Sequence, residues 1–185
     1  LFDAYAKQYP ELAKEWKVWY SDKPPVNLIK DTAYWTYEDK AMASRASSQV
    51  VLNRLAERIP NLIGGSADLA PSTKTIMKDE GDFSADNKGG SNMHFGVREH
   101  AMAAIGNGMT LHGGLRPYVA TFFVFSDYMK GAMRLSALMK LPLTYVLTHD
   151  SIGVGEDGPT HEPIEQLASL RSIPNMTVFR PADTR

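Results

Sequence analysis

Short apolar runs that alternate with helix-like stretches constrain the fold of this chain more than any other feature. The runs cover residues 61–65, 118–123, 143–148 and 176–179, and a further strand is expected shortly before Gly96. Between them, apolar side chains recur with helical spacing over 97–112, 125–139 and 162–171. Strands that alternate with helices of about 10 to 15 residues are typical of βαβ units. We therefore predict an α/β fold with three layers, α/β/α, around a mainly parallel sheet.

The first 33 residues are predicted to stand apart from this pattern. Aromatic and aliphatic side chains recur at near-helical spacing from Leu1 to Tyr20, with an interruption at Pro10, and the run from Ser21 to Pro25 breaks the spacing. We predict a short helix and a linker over 1–33, and a domain over 34–185.

Two segments follow the linker. From Asp39 to Ile59, apolar residues are interleaved with charged ones, and Pro60 ends the pattern, so a long amphipathic helix is expected there. The segment from Ser72 to Gly90 is rich in Asp, Gly, Lys and Ser, and we predict a surface loop.

The composition limits the classes of function. With 185 residues and 43% hydrophobic content, the chain can bury one substantial core. Its formal net charge of −1 provides no overall field that would attract nucleic acid or a membrane surface. The absence of cysteine excludes disulfides and a thiolate nucleophile and is compatible with a reducing compartment. No apolar run approaches the roughly 20 residues of a membrane span, so we expect a soluble, cytoplasmic protein.

Unusual polar and aromatic residues follow the ends of the predicted strands. In an open parallel sheet, ligands bind at the carboxyl ends of the strands. The segments concerned are Ser66–Ser72, Gly96–His100, Phe122–Tyr128, His149–His161 and, after the last run, Arg180. The sequence therefore predicts a site at one edge of the sheet.

Taken singly, these residues have ordinary structural explanations. An acidic residue such as Glu99 is favoured in the first turn of a helix by the macrodipole. An aromatic cluster at the end of a strand is usually part of a core, and an arginine such as Arg45 usually lies on a solvated helix face. A metal site is the alternative for His149, Asp150, Asp157 and His161, but these residues do not follow a zinc-ligand spacing and no cysteine accompanies them.

Five sequence blocks resemble, in order and spacing, the pyrimidine-binding domain of transketolases. They are GGSADLAPS (Gly64–Ser72), FGVREHAM (Phe95–Met102), TFFVFSDY (Thr121–Tyr128), THDSIGVGEDGPTHEPIEQLASLR (Thr148–Arg171) and FRPAD (Phe179–Asp183). The resemblance runs from about Tyr34 to the last residue and implies the thiamine-diphosphate-binding fold of that domain. It also implies an enzyme of the pentose phosphate pathway that transfers a two-carbon ketol unit from a ketose phosphate to an aldose phosphate.

The resemblance implies which residues meet the cofactor. Glu99 would be a catalytic residue, because a carboxyl hydrogen-bonded to the pyrimidine ring nitrogen shifts that ring to the tautomer that takes the proton from thiazolium C2. Phe125 would stack on the pyrimidine, and Phe123 is assigned to the core. The remaining members of the cofactor pocket would be Phe122, Tyr128 and Asp68.

The same resemblance assigns a set of substrate-binding residues. Four would hold the phosphate of the sugar: Arg45, Ser72, His149 and Arg180. Asp157 would contact the hydroxyl group that sets stereochemical preference. His161, the second catalytic residue, would lie close to the reacting hydroxyl groups, where an imidazole can accept or relay a proton.

One expected part of such an enzyme is missing from the sequence. The Asp-Gly motif ending in Asn that holds the divalent cation, Mg²⁺ or Ca²⁺, has no counterpart in this chain. In the family it belongs to the preceding domain, and the cofactor lies between two subunits of a homodimer. The isolated chain is therefore expected to be inactive. A related thiamine-diphosphate enzyme (dihydroxyacetone synthase, phosphoketolase or deoxyxylulose-phosphate synthase) and a noncatalytic relative are the alternatives.

Overall fold

A parallel sheet of four strands organises the computed structural model, which describes residues 1–21, 23 and 25–184. The strands are β1 (Leu62–Ser66), β2 (Asn92–His94), β3 (Arg116–Phe122) and β4 (Thr144–Thr148). Their order across the sheet is β2-β1-β3-β4, and each neighbouring pair is parallel. The predicted α/β class with a mainly parallel sheet is therefore confirmed.

Seven α-helices accompany the sheet in the described part of the chain. They are α1 (Phe2–Gln8), α2 (Pro10–Trp19), α3 (Ser44–Ala56), α4 (Ala70–Thr73), α5 (Glu99–His112), α6 (Ser126–Leu138) and α7 (Gln166–Arg171). Short 3₁₀ turns cover Leu28–Lys30, Phe123–Phe125 and Ile152–Val154. Over the residues described, none of the helices combines the length and the apolar character needed to cross a bilayer.

Helices cover both faces of the sheet because alternate residues of β3 point in opposite directions. Val119 packs on one face with Met102 of α5 and Met129 of α6, and all three side chains are fully buried. Tyr118 packs on the other face with Ala56 of α3. These two clusters confirm the predicted three-layer arrangement.

The glycines of β1 allow unusually close approach of its neighbours. A Cβ atom on Gly65 would lie 1.8 Å from the carbonyl oxygen of Met93 in β2. On Gly64 it would lie 2.2 Å from the carbonyl oxygen of Tyr118 in β3. Only glycine fits at these two positions, and the strand then leads directly into the residues of the candidate site.

One predicted strand is wrong. Residues 176–179 form no ladder with β4 in the described structure. Met176 and Val178 do pack against the core, whereas Phe179 is exposed, so the side chains alternate as in a strand. An extended segment can satisfy this alternation by side-chain packing alone, without backbone pairing.

Three other predicted segments differ in extent. The helix expected over 39–59 begins at Ser44, since residues 39–43 are exposed and gain nothing from burial. The helix expected from Glu162 begins at Gln166, because Pro163 disfavours helical backbone in the residue before it. The loop predicted from Ser72 starts in α4, and it is not wholly on the surface: its residues Thr73, Thr75 and Met77 are buried.

The segment before α3 is bound to that helix and to the turn that follows it. Arg58 Nε donates to Asp31 Oδ2 at 2.5 Å, and Arg54 Nη1 donates to the carbonyl oxygen of Tyr34 at 2.8 Å. The hydrogen bond from Arg58 holds the pKa of the Asp31 carboxyl below its usual range. The predicted division of the chain into 1–33 and 34–185 stays a prediction.

Candidate functional site

A cavity of about 400 Å³ opens where β1, α5 and α6 meet. Asp68 follows the carboxyl end of β1, Glu99 is the first residue of α5, and Phe125 and Tyr128 lie at the start of α6. The cavity is lined by Ala67, Asp68, Leu69, Val97, Glu99, Phe125 and Tyr128. Four of the five residues predicted to meet a cofactor thus converge on one cavity, at the predicted edge of the sheet.

Glu99 is buried in this cavity without a protein partner. Its side chain belongs to a residue that is only 8% exposed. Within the described part of the chain, its carboxylate forms no hydrogen bond and no ion pair. The carboxylate is instead open to the cavity, where it can accept a hydrogen bond from a ligand that carries a donor.

Phe125 is the centre of an aromatic cluster beside Glu99. Its ring lies 5.3 Å from that of His161 and 5.9 Å from that of Tyr128. Phe122 stacks on Phe125 with centroids 5.8 Å apart and an interplanar angle of 4°. Phe122 is not among the residues that line the cavity, and its contact with a cofactor stays a prediction. Phe123 is buried in the core, as predicted.

His149 lies at the carboxyl end of β4 and joins this cluster to Arg45. Its ring stacks on Phe122 at 3.7 Å, and its Nε2 lies 3.4 Å from Arg45 Nη1. Because a guanidinium only donates, Nε2 is the acceptor, and Nδ1–H donates to Thr148 Oγ1 at 2.9 Å. The imidazole is therefore neutral in this arrangement.

Burial lowers the pKa of His149, and the positive charge of Arg45 lowers it further. The carboxylates of Asp157 and Asp150 act in the opposite direction, and His161 adds to the lowering. All of these charged groups lie within electrostatic reach of one imidazole. An incoming dianion would meet Arg45 and a histidine that can take up a proton.

We expect NMR titration to give His149 a pKa below 6.5, and substitution Arg45→Met to raise it towards that value. A histidine whose pKa is lowered by folding binds its proton less tightly in the folded than in the unfolded protein. Its contribution to the free energy of unfolding is therefore complete above the unfolded pKa of about 6.5, and it decreases as the pH falls below that value. A pKa for His149 at or above 6.5 in the unsubstituted protein would contradict this environment.

Of the other two predicted phosphate ligands, over the residues described, Arg180 is connected to the group around His149 and Ser72 is not. Arg180 Nε donates to Asp150 Oδ2 at 2.9 Å, which binds Arg180 to the residue that follows His149. The hydroxyls of Ser47 and Thr184 lie 2.6 Å apart, which holds the end of the described chain against α3. Ser72 is exposed on α4, and no hydrogen bond of its hydroxyl connects it with this group in the described structure.

Some features of the site were not predicted from the sequence. Asp68 and His149 both adopt left-handed backbone, with φ of 65° and 56°. Such conformations are uncommon outside glycine and concentrate at functional sites. Asp150 was considered only as a metal ligand, whereas it pairs with Arg180. Over the residues described, no group of three or more His, Asp and Glu side chains is arranged to hold a metal ion.

Comparison with known proteins identifies the family. Residues 40–185 match the family described as "Transketolase, pyrimidine binding domain". The chain is 56% identical over 182 residues to the transketolase of Bacillus subtilis (strain 168), an alignment that covers 98% of this chain and 27% of that protein. The chain thus spans about a quarter of the length of this relative.

Solved structures give the same result. A transketolase of Pichia stipitis in complex with sedoheptulose 7-phosphate is 46% identical, with a TM-score of 0.92 over 99% of this chain and 28% of that one. A protein described as a split-gene transketolase, an inactive β4 tetramer, is 30% identical, with a TM-score of 0.58 over 78% of this chain and 45% of that one. The fold, the convergent cavity and these similarities together show that the chain belongs to the transketolase family, within its pyrimidine-binding domain.

Proposed function

We propose that this chain provides the pyrimidine-binding half of the active site of a transketolase that depends on thiamine diphosphate. The observation that carries the proposal is that Glu99, a residue only 8% exposed, lines an aromatic cavity and forms no hydrogen bond or ion pair with the described residues. A protonated pyrimidine nitrogen would satisfy this acceptor, and an aromatic ring would fill the space beside Phe125. The residues present therefore fit the pyrimidine part of the cofactor.

The protein residues would orient the cofactor rather than attack the substrate. Thiamine diphosphate, when bound, supplies the nucleophilic carbon that accepts and releases the two-carbon unit. Glu99 would accept the hydrogen bond from the ring nitrogen and hold the proton at that atom. Phe125 would stack on the ring, and Tyr128 would help to exclude water from the cavity.

The substrates would be a ketose phosphate and an aldose phosphate. Arg45, His149 and Arg180 form a group that suits a phosphate dianion, with Ser72 as a further proposed ligand. The complex of the Pichia stipitis relative with sedoheptulose 7-phosphate supports this substrate class. Asp157 would bind a sugar hydroxyl. His161 is held by Thr160 Oγ1, 2.8 Å from its Nδ1, and its ring would relay protons at the reacting hydroxyl groups.

The proposal requires groups from outside this chain. A divalent cation, Mg²⁺ or Ca²⁺, would bind the diphosphate through ligands in another part of the full-length protein, and a second subunit would complete a homodimer. The chain spans about a quarter of its relatives, and the split-gene relative described as inactive supports the need for such a complement. We propose a cytoplasmic location for the full-length enzyme.

The full-length protein with thiamine diphosphate and Mg²⁺ is expected to convert xylulose 5-phosphate and ribose 5-phosphate, whereas the isolated chain should show no ketol transfer. The physical reason is that the isolated chain offers one side of the cofactor site and no cation ligands. Turnover is measured with a coupled assay for glyceraldehyde 3-phosphate. Formaldehyde as acceptor tests for the dihydroxyacetone synthase reaction. Turnover by the isolated chain, or inactivity of the full-length protein with both sugars, would contradict the proposal.

A further inference from the structure

The loop of residues 155–165, here called the His161 loop, has little internal means of fixing its position. Gly158 N donates to Gly155 O at 3.1 Å, and His161 N donates to Gly158 O at 3.0 Å. Both glycines have positive φ, which suits tight turns. Such local bonds set the shape of a loop, but they do not hold it against the cavity. The position of His161 therefore rests on its ring contact with Phe125, on the buried Pro163 and on contacts at the margins of the loop.

Gln166, the residue directly after the loop, forms such a contact. It is 3% exposed, and its side-chain amide both accepts and donates a hydrogen bond. The side-chain oxygen accepts from the backbone N–H of Ile164 at 2.9 Å, and Nε2 donates to Asp127 Oδ2 at 2.8 Å. One buried amide thus ties the end of the His161 loop to α6.

Asp127 is the second residue of α6 and directly precedes Tyr128, which lines the cavity together with Phe125. The bond from Gln166 therefore connects the loop to the helix turn that carries the proposed pyrimidine site. A second bond, from Lys130 Nζ to Ser169 Oγ, joins α6 and α7 one turn further along. A general preference for acidic residues in the first turn of a helix would explain Asp127 alone, but not its pairing with a buried amide.

We propose that Gln166 and Asp127 are positioning residues, which hold His161 and Asp157 over the cofactor cavity through one directional hydrogen bond. This inference rests on the proposed function. The bond is charge-assisted and partly buried, so its loss should release the loop without removing any group that touches the cofactor. Sugar binding and turnover should therefore suffer while affinity for thiamine diphosphate is kept.

The test reverses the direction of the bond in the full-length protein. Substitution Gln166→Glu removes the donor and places two carboxylates together, and we expect kcat/KM for xylulose 5-phosphate to fall about 10- to 100-fold. Substitution Asp127→Asn keeps an oxygen acceptor and should cost about threefold or less. In the double variant Q166E/D127N, the new amide at 127 can donate to the new carboxylate at 166, which still accepts from Ile164. Activity should recover to within about threefold of the unsubstituted protein.

Three further readouts separate positioning from a general loss of structure. The loss in Gln166→Glu should shrink as the pH is lowered, because a shared proton relieves the carboxylate pair. In the cofactor-free protein, hydrogen–deuterium exchange over 155–165 should be faster in Gln166→Glu than in the unsubstituted protein, and it should return to the unsubstituted rate in the double variant. Exchange over α5 should be the same in all of these proteins. Affinity for thiamine diphosphate should change less than about threefold, and Gln8→Glu, at an exposed glutamine of α1, is the matched control.

The outcomes distinguish this inference from the proposed function. An unsubstituted full-length protein without ketol transfer would end the proposed function, and loop exchange would still test the bond. Normal activity and normal loop exchange in Gln166→Glu would overturn the inference. Failure of the double variant to recover folding, exchange or activity would overturn it as well, since reversal of the bond would then not be what matters.

Discussion

Substitution Glu99→Ala in the full-length protein is expected to lower kcat for ketol transfer about 10²- to 10⁴-fold. Glu99 is the carboxylate that we place at the pyrimidine ring nitrogen, and it forms no hydrogen bond or ion pair with the described residues, whereas Asp68 lines the same cavity. Without it, the cofactor's own amino group would no longer be prepared to take up the proton from thiazolium C2. Steady-state assays with xylulose 5-phosphate and ribose 5-phosphate, at saturating cofactor, measure the effect.

The control for this substitution is another acidic residue in the first turn of a helix. Glu11 occupies that position in α2, and its side chain is 80% exposed in an ion pair with Lys14. Glu11→Ala should change kcat by less than about twofold, because exposed pairs contribute little. If Glu99→Ala proved as harmless as Glu11→Ala, then Glu99 would be a helix-favouring residue and the assignment of the site would be wrong.

Substitution Gly65→Ala is expected to lower the free energy of unfolding by about 3 kcal/mol or more. The added Cβ would lie 1.8 Å from the carbonyl oxygen of Met93, which is backbone of the neighbouring strand. Gly65 and Met93 are register partners in the ladder between β1 and β2, so neither can move without breaking it. Urea unfolding, followed by tryptophan fluorescence, measures the loss of stability. In the full-length protein the substitution should also lower activity, because Asp68 would shift together with β1.

Gly108 offers the matched control for the same chemical change. It lies inside α5, and an added Cβ would meet no atom within 4 Å. Gly108→Ala should therefore stabilise the chain by about 0.5–1 kcal/mol, through the lower conformational entropy of the unfolded state. Equal effects of the two substitutions would show that the close approach at Gly65 does not determine the stability of the sheet.

The main architecture could be predicted because burial imposes a period on each element. Val119 and Tyr118 of β3 must face opposite layers, and Met102 and Met129 lie on the buried sides of their helices. The same reasoning failed over 176–179, since alternation reports which side chains are buried and not whether the backbone finds a partner strand. It also gave α3 too early a start, because spacing does not reveal that residues 39–43 are exposed.

The sequence predicted where the site lies in the fold better than it predicted which residues contact each other there. The rule that ligands bind at the carboxyl ends of parallel strands places Asp68 and Glu99 at the same edge. Pairings across the chain were not predictable: Arg180 with Asp150, and Gln166 with Asp127. The 3₁₀ turn at Phe123–Phe125 places residues three apart in line, so Phe122 stacks on Phe125, and the expected contact of Phe122 with the cofactor stays a prediction.

The most direct test is the exchange of the C2 proton of thiamine diphosphate bound to the full-length protein, measured by NMR after timed transfer to deuterium oxide. Glu99 hydrogen-bonded to the pyrimidine should accelerate this exchange far above that of free cofactor, and Glu99→Gln should return it close to the free rate. Exchange that stays fast in Glu99→Gln, with the cofactor still bound, would contradict the central claim.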